Sequence, residues 1–570
     1  MIFTSMIRKH IIPVIFVIFA IFFAYAGLVN TYFQQDEWQF FAGNIYYESK
    51  GIIGILESFL PVDALSHVTP LSMAYLWGTY VLFGTNFTPH AYLSIVLHGL
   101  NALLLYYFVF IWLKNRTISF IAALFFGLNS IPSQSVTWVA GQNSYEIPVF
   151  FILLSLIFFQ KFLRNNIHRK INIFLSLVML FVSLLFHENA MFLFLFYPLI
   201  FLLDTFSDRK KILHFFSYTL ALFALAFFLV RLPFFFGFIT SLPERSDISH
   251  PSVSVYPYRM MSKSLKSFAG SFIPEKTLIH VSDMVIYLGY PQFLTNDRIP
   301  NPFIAQSIVF DLVSYVLTIL IILAINLFRK RITERKLSNA LRWSLLFVIT
   351  SFLPYSFVLG RPGYASILEP KFFYVGGIGI SIIVAVISYY LILGFSKRKI
   401  LRTFIYLLLG LYFMFHLLAV KSNIDNLVEI GMRRKAFVNT ITSAYKTLPQ
   451  RVVFYVQSDT AYYGMPDNEK ILPVQVGFGK ILMIMYQKDE HFPGCLYEGQ
   501  FLLAPLEVGY RYCDGRGFGF VRTYESLLQI LKENKLDAAN VIAYSWNGKT
   551  KQFVNMTDAI QTRVAQDIWR

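Results

Sequence analysis

Two adjacent carboxylates, Asp36 and Glu37, stand a few residues past the first apolar segment of the chain. That segment, residues 11–30, has the roughly 20 apolar residues that a membrane-spanning helix needs. An acid at the water edge of a membrane protein is either solvated loop charge or a working group, such as a general base that takes a proton from a substrate. We predict the second role for this pair, in a reaction carried out on the outer face of a membrane.

Further candidate groups stand at the ends of later apolar segments. His187 and Glu188 lie together between two of them, and an ionisable pair at membrane depth is a functional candidate by default. Arg361 and Lys371 fall in one connection and supply cations that can stabilise an anionic group. As an alternative, each is an interface anchor whose charge reaches back to water. His67 precedes a short apolar segment and is the remaining candidate for binding a substrate.

The composition identifies the class of protein that must position these groups. Of the 570 residues, 56% are hydrophobic and only 14% are charged, and the mean hydropathy is +0.56. These values exclude an ordinary soluble globular protein. We count about eleven apolar runs that can span a bilayer. They are residues 11–30, 89–112, 119–134, 145–162, 171–186, 190–205, 212–234, 306–328, 341–359, 372–395 and 402–420.

Basic residues cluster in alternate connections between these runs. The basic connections hold Arg8, Lys9, Lys114, Arg116, Lys161, Arg164, Arg169, Lys170, Arg209, Lys210, Lys211, Arg329, Lys330, Arg331, Arg335, Lys336, Lys397, Arg398 and Lys399. The opposite short connections, residues 134–144 and 187–189, contain neither Lys nor Arg. By the positive-inside rule the N-terminus is cytoplasmic, and an odd number of spans puts the C-terminal region outside. The net charge of +17 therefore orients the chain in a membrane, and we predict no nucleic-acid partner.

Three large segments are then non-cytoplasmic, namely residues 31–88, 235–305 and 421–570. The first two are interrupted by Pro, Gly and aromatic residues and are expected to form outer loops. Within the first, residues 71–83 are apolar but too few to span, so we expect an interfacial or re-entrant segment. We predict a transmembrane domain over residues 1–420 and a soluble domain over residues 421–570.

The last segment has the pattern of a small folded domain. Residues 451–457 and 541–546 are β-branched and aromatic, as in buried strands, and residues 524–534 have helical periodicity. An α/β or α+β domain follows. The Gly-rich run at residues 515–519 is expected to be a turn or hairpin, because nothing marks it as a nucleotide-binding loop between a strand and a helix.

The two cysteines of the chain, Cys495 and Cys513, both fall in this domain. In an oxidising compartment we expect a disulfide, which would stabilise the loop by about 3 kcal/mol. Two unrelated free thiols are the alternative. Two thiols without clustered histidines are too few for zinc, and no Asp-x-Asp motif occurs in the sequence. We predict no cofactor and no metal site. Whether the reaction depends on a divalent metal ion is left open.

Segments in order and at compatible spacing resemble those of one enzyme family. They are the acids Asp36 and Glu37, the Pro70-Leu71 segment, the turn centred on Gly84, and residues 98–106, 123–141, 186–190, 352–354 and 368–374. Together they resemble membrane glycosyltransferases of the C-type superfold, in particular protein O-mannosyltransferases with tetratricopeptide tails and their bacterial relatives. The resemblance covers about residues 10–395. It implies an α-helical polytopic membrane protein of C-type glycosyltransferase architecture, followed by the non-cytoplasmic domain.

The resemblance also implies a reaction. Such enzymes transfer a sugar from a polyprenyl-phosphate carrier to a lipid, glycan or protein acceptor on the non-cytoplasmic side, usually with inversion. Asp36 matches the family's loop acid and would be the base, with Glu37 as second candidate, for substrate hydroxyls or as the base itself. Lys371 stands where the family usually has Arg, and with Arg361 it would bind the donor phosphate. The cell membrane is the expected location.

His67, His187 and Glu188, chosen as ionisable residues at membrane depth, stay as substrate-binding candidates beside these assignments. His98 and Asn101 lie one helical turn apart, and we expect them to bond a neighbouring helix.

Two departures from the family limit what can be carried over. The family's Arg-Lys-Asp or Arg-x-Asp after the Trp segment reads Gln142-Asn143-Ser144 here, so the donor-phosphate contact has moved or the donor differs. The tetratricopeptide tail is replaced by residues 421–570, which leaves the acceptor open.

Two other classes of protein remain as alternatives. A lipid-linked-sugar flippase or transporter would carry charged or polar residues near the middle of several spans. A non-catalytic membrane scaffold would use the outer domain to recruit partners. Ionisable residues concentrate here at the ends of the spans, which favours chemistry at the membrane surface.

Overall fold

A computed structural model of the chain describes residues 2–34, 36–58, 69–164, 168–203, 255–289, 302–357, 369–460, 472, 477–499, 501–502 and 508–568. The chain divides into two units. The first unit contains residues 1–26, 61–72 and 91–423, and the second contains residues 27–60, 73–90 and 424–570. Two segments that the sequence prediction placed with the transmembrane part, residues 27–60 and 73–90, are thus grouped with the C-terminal residues.

Helices make up nearly all of the described chain ahead of the C-terminal sheet. In chain order they are α1 (Ile2–Tyr25), α2 (Asp36–Ser49), α3 (Gly51–Ser58), α4 (Pro70–Phe83), α5 (Phe87–Leu113), α6 (Arg116–Leu128), α7 (Gln134–Thr137), α8 (Ile147–Arg164), α9 (Arg169–Phe186), α10 (Leu193–Leu203), α11 (Val255–Gly270), α12 (Glu275–Gly289), α13 (Pro302–Arg331), α14 (Arg335–Ser351), α15 (Phe373–Gly394) and α16 (Lys399–Ala444). One π-helical turn, Gln142–Glu146, precedes α8.

Within the described residues, seven helical segments are long and apolar enough to cross a membrane. They are His10–Asn30, Phe87–Leu113, Val139–Arg164, Arg169–Phe186, Ile308–Arg331, Pro370–Gly394 and Lys399–Ala444. The protein is therefore an integral multi-pass membrane protein.

The remaining predicted spans have three different outcomes. Residues 119–134 and 190–205 correspond to shorter apolar helices, Arg116–Leu128 and Glu188–Ile200. Residues 341–359 correspond to α14, which has 17 residues and begins with Arg335. Residues 212–234 lie outside the described residues. A total of about eleven spans, and their orientation, stay predictions.

Polar and small side chains join helices of the first unit. Ser155 on α8 donates to the carbonyl of Ser176 on α9 at 2.7 Å, and Ser176 donates back to the carbonyl of Ser155 at 2.9 Å. Gly379 on α15 faces α14 so closely that a Cβ there would lie 2.6 Å from Val348. Reciprocal serine bonds and small residues at close approaches are typical of helix pairs in lipid, where apolar burial does not drive association.

In the second unit, the C-terminal domain is built on a five-stranded sheet. Its strands are β1 (Arg451–Ser458), β2 (Gly509–Cys513), β3 (Arg516–Val521), β4 (Val541–Asn547) and β5 (Gln552–Asn555), in the order β2-β3-β1-β4-β5. The central pairs β3-β1 and β1-β4 are parallel, and both edge pairs are antiparallel. Three helices accompany the sheet, α17 (Phe478–Glu490), α18 (Tyr524–Asn534) and α19 (Thr557–Asp567).

Alternation along the strands puts different residues on the two faces of the sheet. On one face, Phe454 packs on Tyr486 of α17, with ring centroids 6.3 Å apart. On the other, Val453 belongs to a buried cluster with Leu527 of α18 and Val564 of α19. Helices on both faces of a mostly parallel sheet form an α/β domain. The predicted strands and helix are confirmed, and of the two predicted classes, α/β and α+β, the small domain is α/β.

The Gly-rich run forms the hairpin that the sequence predicts. Strands β2 and β3 pair antiparallel from Cys513↔Arg516 onward. Asp514 and Gly515 between them have φ of 49° and 80°, as both central residues of a two-residue hairpin turn require. Cys513 at the end of β2 is disulfide-bonded to Cys495, with the two Cα atoms 6.5 Å apart.

Candidate functional site

The predicted base lies at the first turn of α2, in the second unit. Acidic residues in a first turn are favoured by the positive end of the helix dipole, and α2 begins with both Asp36 and Glu37. Their environments differ. Asp36 is exposed, whereas Glu37 is only 2% exposed and its Oε2 accepts the N–H of Gln34 at 3.2 Å. Asp36 therefore presents its side chain to solvent, and Glu37 ties down the loop ahead of the helix.

The loop before α2 rests on the C-terminal part of α16. Arg434, which is 8% exposed, donates from Nη1 to the carbonyl of Phe33 at 3.2 Å. One turn earlier, a Cβ on Gly431 would lie only 2.7 Å from the backbone nitrogen of Tyr32. The close approach at Gly431 and the hydrogen bond from Arg434 thus position the residues that lead into Asp36. Sequence reasoning missed both residues.

An aromatic cluster holds the other side of this loop. Phe33 is fully buried, and its ring lies 5.2 Å from the ring of Trp38, 5.1 Å from that of Phe87 and 5.4 Å from that of His90. Edge-to-face packing of this kind adds to the energy of burial. The loop is therefore fixed from two sides, and so is the direction in which α2 starts.

In the first unit, Lys371 lies in a short 3₁₀ turn, Pro370–Phe372, directly before α15. Its Nζ is 2.6 Å from a carboxylate oxygen of Glu369 and 4.2 Å from the ring centroid of Trp138. The side chain is only 15% exposed. This ammonium is paired with a carboxylate and an aromatic face, whereas an interface anchor would extend it into water.

The backbone of Lys371 joins two of the segments that carry the family resemblance. Its N–H donates to Oε1 of Gln134 at 3.3 Å, and its carbonyl accepts from Oγ of Ser135 at 2.9 Å. Residues 123–141 and 368–374 resemble two separate motifs of the family. The described parts of both meet at this lysine.

His187 and Glu188 form the turn between α9 and the next short helix, and both are half-buried. His187 caps the 3₁₀ turn Glu188–Phe192, because its Nδ1 accepts the N–H of Asn189 at 3.2 Å. The ring of Tyr145 lies 5.8 Å from His187 and 6.0 Å from Phe372. One aromatic residue therefore connects the His187 turn with the Lys371 segment.

Two predicted residues, His67 and Arg361, lie outside the described residues. Their proposed roles stay predictions. Among the residues that the structure describes, no group of three or more His, Cys, Asp or Glu side chains could hold a metal ion.

A buried carboxylic acid that sequence reasoning missed lies in the π-helical turn before α8. Glu146 is fully buried, and its Oε2 is 2.6 Å from Oγ of Ser94. The same Ser94 hydroxyl is 2.7 Å from the carbonyl of Val136. The single hydroxyl of Ser94 therefore joins the side chain of Glu146 to the backbone of Val136. The sequence feature that could have identified Glu146 is an acidic residue close to the start of an apolar run.

The Glu146 backbone is part of a larger buried network. Asn101 donates from Nδ2 to the carbonyl of Glu146 at 2.8 Å and to the hydroxyl of Tyr374 at 3.2 Å. His98 contacts that hydroxyl through Nδ1 at 2.8 Å and the carbonyl of Gly127 through Nε2 at 3.1 Å. The prediction that His98 and Asn101 bond neighbouring helices is confirmed. Within the described residues, Oε1 of Glu146 has no hydrogen-bond partner.

Comparison with known proteins returned distant likenesses alone. No family model matches the chain, and no curated protein matches it. Among solved structures, ArnT from Cupriavidus metallidurans bound to undecaprenyl phosphate is similar over 94% of this chain and 93% of its own, with 15% identity and a TM-score of 0.40. The apo state of ArnT from the same organism is similar over 96% of this chain and 94% of its own, with 14% identity and a TM-score of 0.39.

Proposed function

We propose that the protein is a membrane glycosyltransferase that moves a sugar from a polyprenyl-phosphate carrier to an acceptor on the non-cytoplasmic face, with inversion at the anomeric carbon. The observation that carries this proposal is the way in which the structure positions Asp36. Asp36 is an exposed residue at the start of a helix, and the loop that leads into this helix is held by Glu37, Arg434 and the buried ring of Phe33. A general base needs both features, namely access to the substrate and a defined position.

The proposed reaction is a single displacement. The acceptor's nucleophilic atom forms a bond to the anomeric carbon as the bond from that carbon to the phosphate oxygen breaks. Asp36 receives the proton of the acceptor. The polyprenyl phosphate leaves with an additional negative charge, and a cation beside it lowers the energy of the transition state.

Lys371 is the cation that we propose for the departing phosphate. Its ammonium is held by Glu369 and by the face of Trp138. A phosphate with its larger charge would join or replace the single carboxylate of Glu369. As a point charge, Lys371 would tolerate a change in phosphate orientation better than the bidentate fork of an arginine.

One observation favours a second function, a lipid-linked-sugar flippase. Glu146 is an acid inside a candidate membrane span, and buried ionisable groups often mark transport pathways. Glu146 lies near the beginning of the span, and its backbone belongs to a hydrogen-bonded network. This position favours a structural role for Glu146 over a role in transport.

The test compares bond cleavage with translocation. Proteoliposomes containing the full chain are given a panel of polyprenyl-phosphate sugars, together with membrane extract as the source of acceptor. A transferase releases free polyprenyl phosphate and yields labelled acceptor. A flippase moves the intact lipid to the other leaflet without releasing the carrier, and this outcome would overturn the proposal.

A further inference from the structure

Lys480, in the first turn of α17, is a buried lysine that has no counter-ion among the residues that the structure describes. Its residue is 2% exposed. Among the described residues it makes no ion pair, and the one charge that acts on it belongs to another cation, Arg511. Burial of an ammonium without an anionic partner is unfavourable, and a second cation nearby makes it more so. A lysine of this kind needs a physical explanation.

The strand register puts Arg511 on the same face of the sheet as α17. Arg511 on β2 is paired with Phe518 on β3, so the two side chains point to the same side. Phe520, two residues further on β3, also points to that side. A Cβ on Gly479 of α17 would lie 2.6 Å from Cβ of Phe520. Lys480 follows Gly479 on this helix, is itself buried, and lies within reach of the charge of Arg511.

Neutral groups hold Arg511 in place. Its Nη1 donates to the carbonyls of Cys495 and Glu498, at 2.9 Å each, and its guanidinium lies 4.5 Å from the ring centroid of Phe501. The carboxylate of Glu498 accepts from the hydroxyl of Tyr46. Within the part of the chain that the structure describes, Arg511 has no ion pair. Among the described residues, the contacts of Lys480 and Arg511 therefore neutralise neither of the two positive charges.

The electrostatic cost appears in the titration of the lysine. Burial, and then the charge of Arg511, lower the pKa of Lys480 to about 8. Near neutral pH the ammonium is still charged. An anion placed between the two cations would favour both charges at once.

We propose that Lys480 and Arg511 form a binding site for a phosphate group in the C-terminal domain. Arg511 offers the guanidinium nitrogens that do not bond Cys495 and Glu498, and Lys480 adds a compact charge. This geometry suits an anion with several oxygens. The group is carried either by a soluble molecule or by a lipid headgroup. The site does not depend on the glycosyltransferase assignment.

The direct test measures the reactivity of Lys480 in the full-length protein. Lysines are methylated with formaldehyde and a borane, and the rate at each lysine is read by peptide mass spectrometry. Lys488, exposed on the same helix, is the internal control. Inorganic phosphate at ten times its Kd should slow methylation of Lys480 about tenfold, as simple occupancy requires, without affecting Lys488. Arg511→Met should abolish this protection, and Arg511→Lys should retain part of it.

A second arm separates the two sources of the anion. The chain is placed in nanodiscs with and without phosphatidic acid. Protection by inorganic phosphate indicates a soluble ligand, and protection by phosphatidic acid alone indicates a lipid headgroup. Equal methylation of Lys480 in all conditions would overturn the site.

A measurement of the melting temperature tests the same proposal independently. Lys480→Met removes a buried charge that lacks an anionic partner, so it should raise the melting temperature of the anion-free protein at pH 7 and remove any stabilisation by phosphate. The advantage should shrink as the pH rises above about 8, because the wild-type lysine then loses its charge in the folded state. Lys488→Met should change neither property. A lowered melting temperature in Lys480→Met would mean that the lysine is structural and would refute the proposal.

Discussion

Arg434 donates a hydrogen bond to the carbonyl of Phe33 at 3.2 Å, across 401 residues of sequence. Phe33 is three residues before Asp36, so this contact fixes the backbone from which the proposed base extends. We expect Arg434→Met to lose the hydrogen bond and about 1–3 kcal/mol of stability, the usual cost of leaving a buried group unsatisfied. With the transfer assay above, kcat should fall more than KM changes, because the base would be misplaced. Arg433→Met, on the same helix, is the control, because the Arg433 side chain is partly exposed and pairs only with the exposed carboxylate of Glu429 among the described residues.

Gly431 supports the same loop by steric means. Gly431→Ala would put a Cβ 2.7 Å from the nitrogen of Tyr32 and 3.1 Å from the carbonyl carbon of Thr31. Backbone atoms must then shift, which typically costs about 1–3 kcal/mol. We expect lower thermal stability and lower transfer together. Gly410→Ala, on the same helix with no atom within 4 Å of the added Cβ, should be neutral. Unchanged stability in Gly431→Ala would show that the loop is not held there.

The two acids of α2 should respond differently to amide substitution. Asp36→Asn keeps the size of the side chain but cannot accept a proton at neutral pH, so turnover should fall by about 10²–10⁴-fold, with little change in donor binding. Glu37→Gln keeps an oxygen that can accept the N–H of Gln34, and it should cost less. Asp425→Asn, an exposed acid on α16, serves as the control. Wild-type turnover in Asp36→Asn at normal expression would transfer the base role to Glu37 or Glu188.

The ion pair of Lys371 predicts effects of opposite sign at its two members. Lys371→Ala removes a cation from the phosphate in both the ground and transition states, so it should weaken donor binding and turnover together. Glu369→Gln removes the competing carboxylate that lies 2.6 Å away, and it should tighten donor binding. Binding is measured by competition with unlabelled polyprenyl phosphate. Weaker binding in both variants would mean that the pair acts as a unit.

Membrane orientation and the disulfide can be tested without a substrate. A reporter fused after Lys170 should be cytoplasmic, and one fused after Arg570 should be on the outer side. An outer signal at Lys170 would overturn the orientation and the proposed location of the reaction.

On the outer side, Cys495 and Cys513 should resist alkylation in the unfolded protein until a reductant is added.

Local pattern was sufficient for much of the architecture. Residues 451–457 and 541–546 have side chains that favour strands whatever follows in the chain, and residues 524–534 have a helical period. Local hydrophobicity was likewise sufficient to predict the seven long apolar helices of the described residues. Periodicity carries less information about length, so the span predicted at residues 119–134 corresponds to a helix of only 13 residues, Arg116–Leu128.

The contacts that define the site were not accessible in this way. Glu146 meets Ser94 across 52 residues, and Arg434 meets Phe33 across 401. Nothing in the neighbourhood of either residue along the chain specifies its partner. The pairing of Lys371 with Glu369 is local and could have been found, since an acid two residues away is within reach. The resemblance to a family directed attention to the lysine and away from its neighbour.

The π-helical turn at Gln142–Glu146 contains one residue more than the α-helical turn it replaces. A residue added to a regular α-helix rotates every later side chain by about 100°, whereas a residue taken up in a π-helical turn leaves the helix that follows in its original phase. Deleting one residue from this turn is therefore expected to leave the reciprocal bonds between Ser155 on α8 and Ser176 on α9 in place. The deletion would instead remove the wide turn from which Glu146 reaches Ser94.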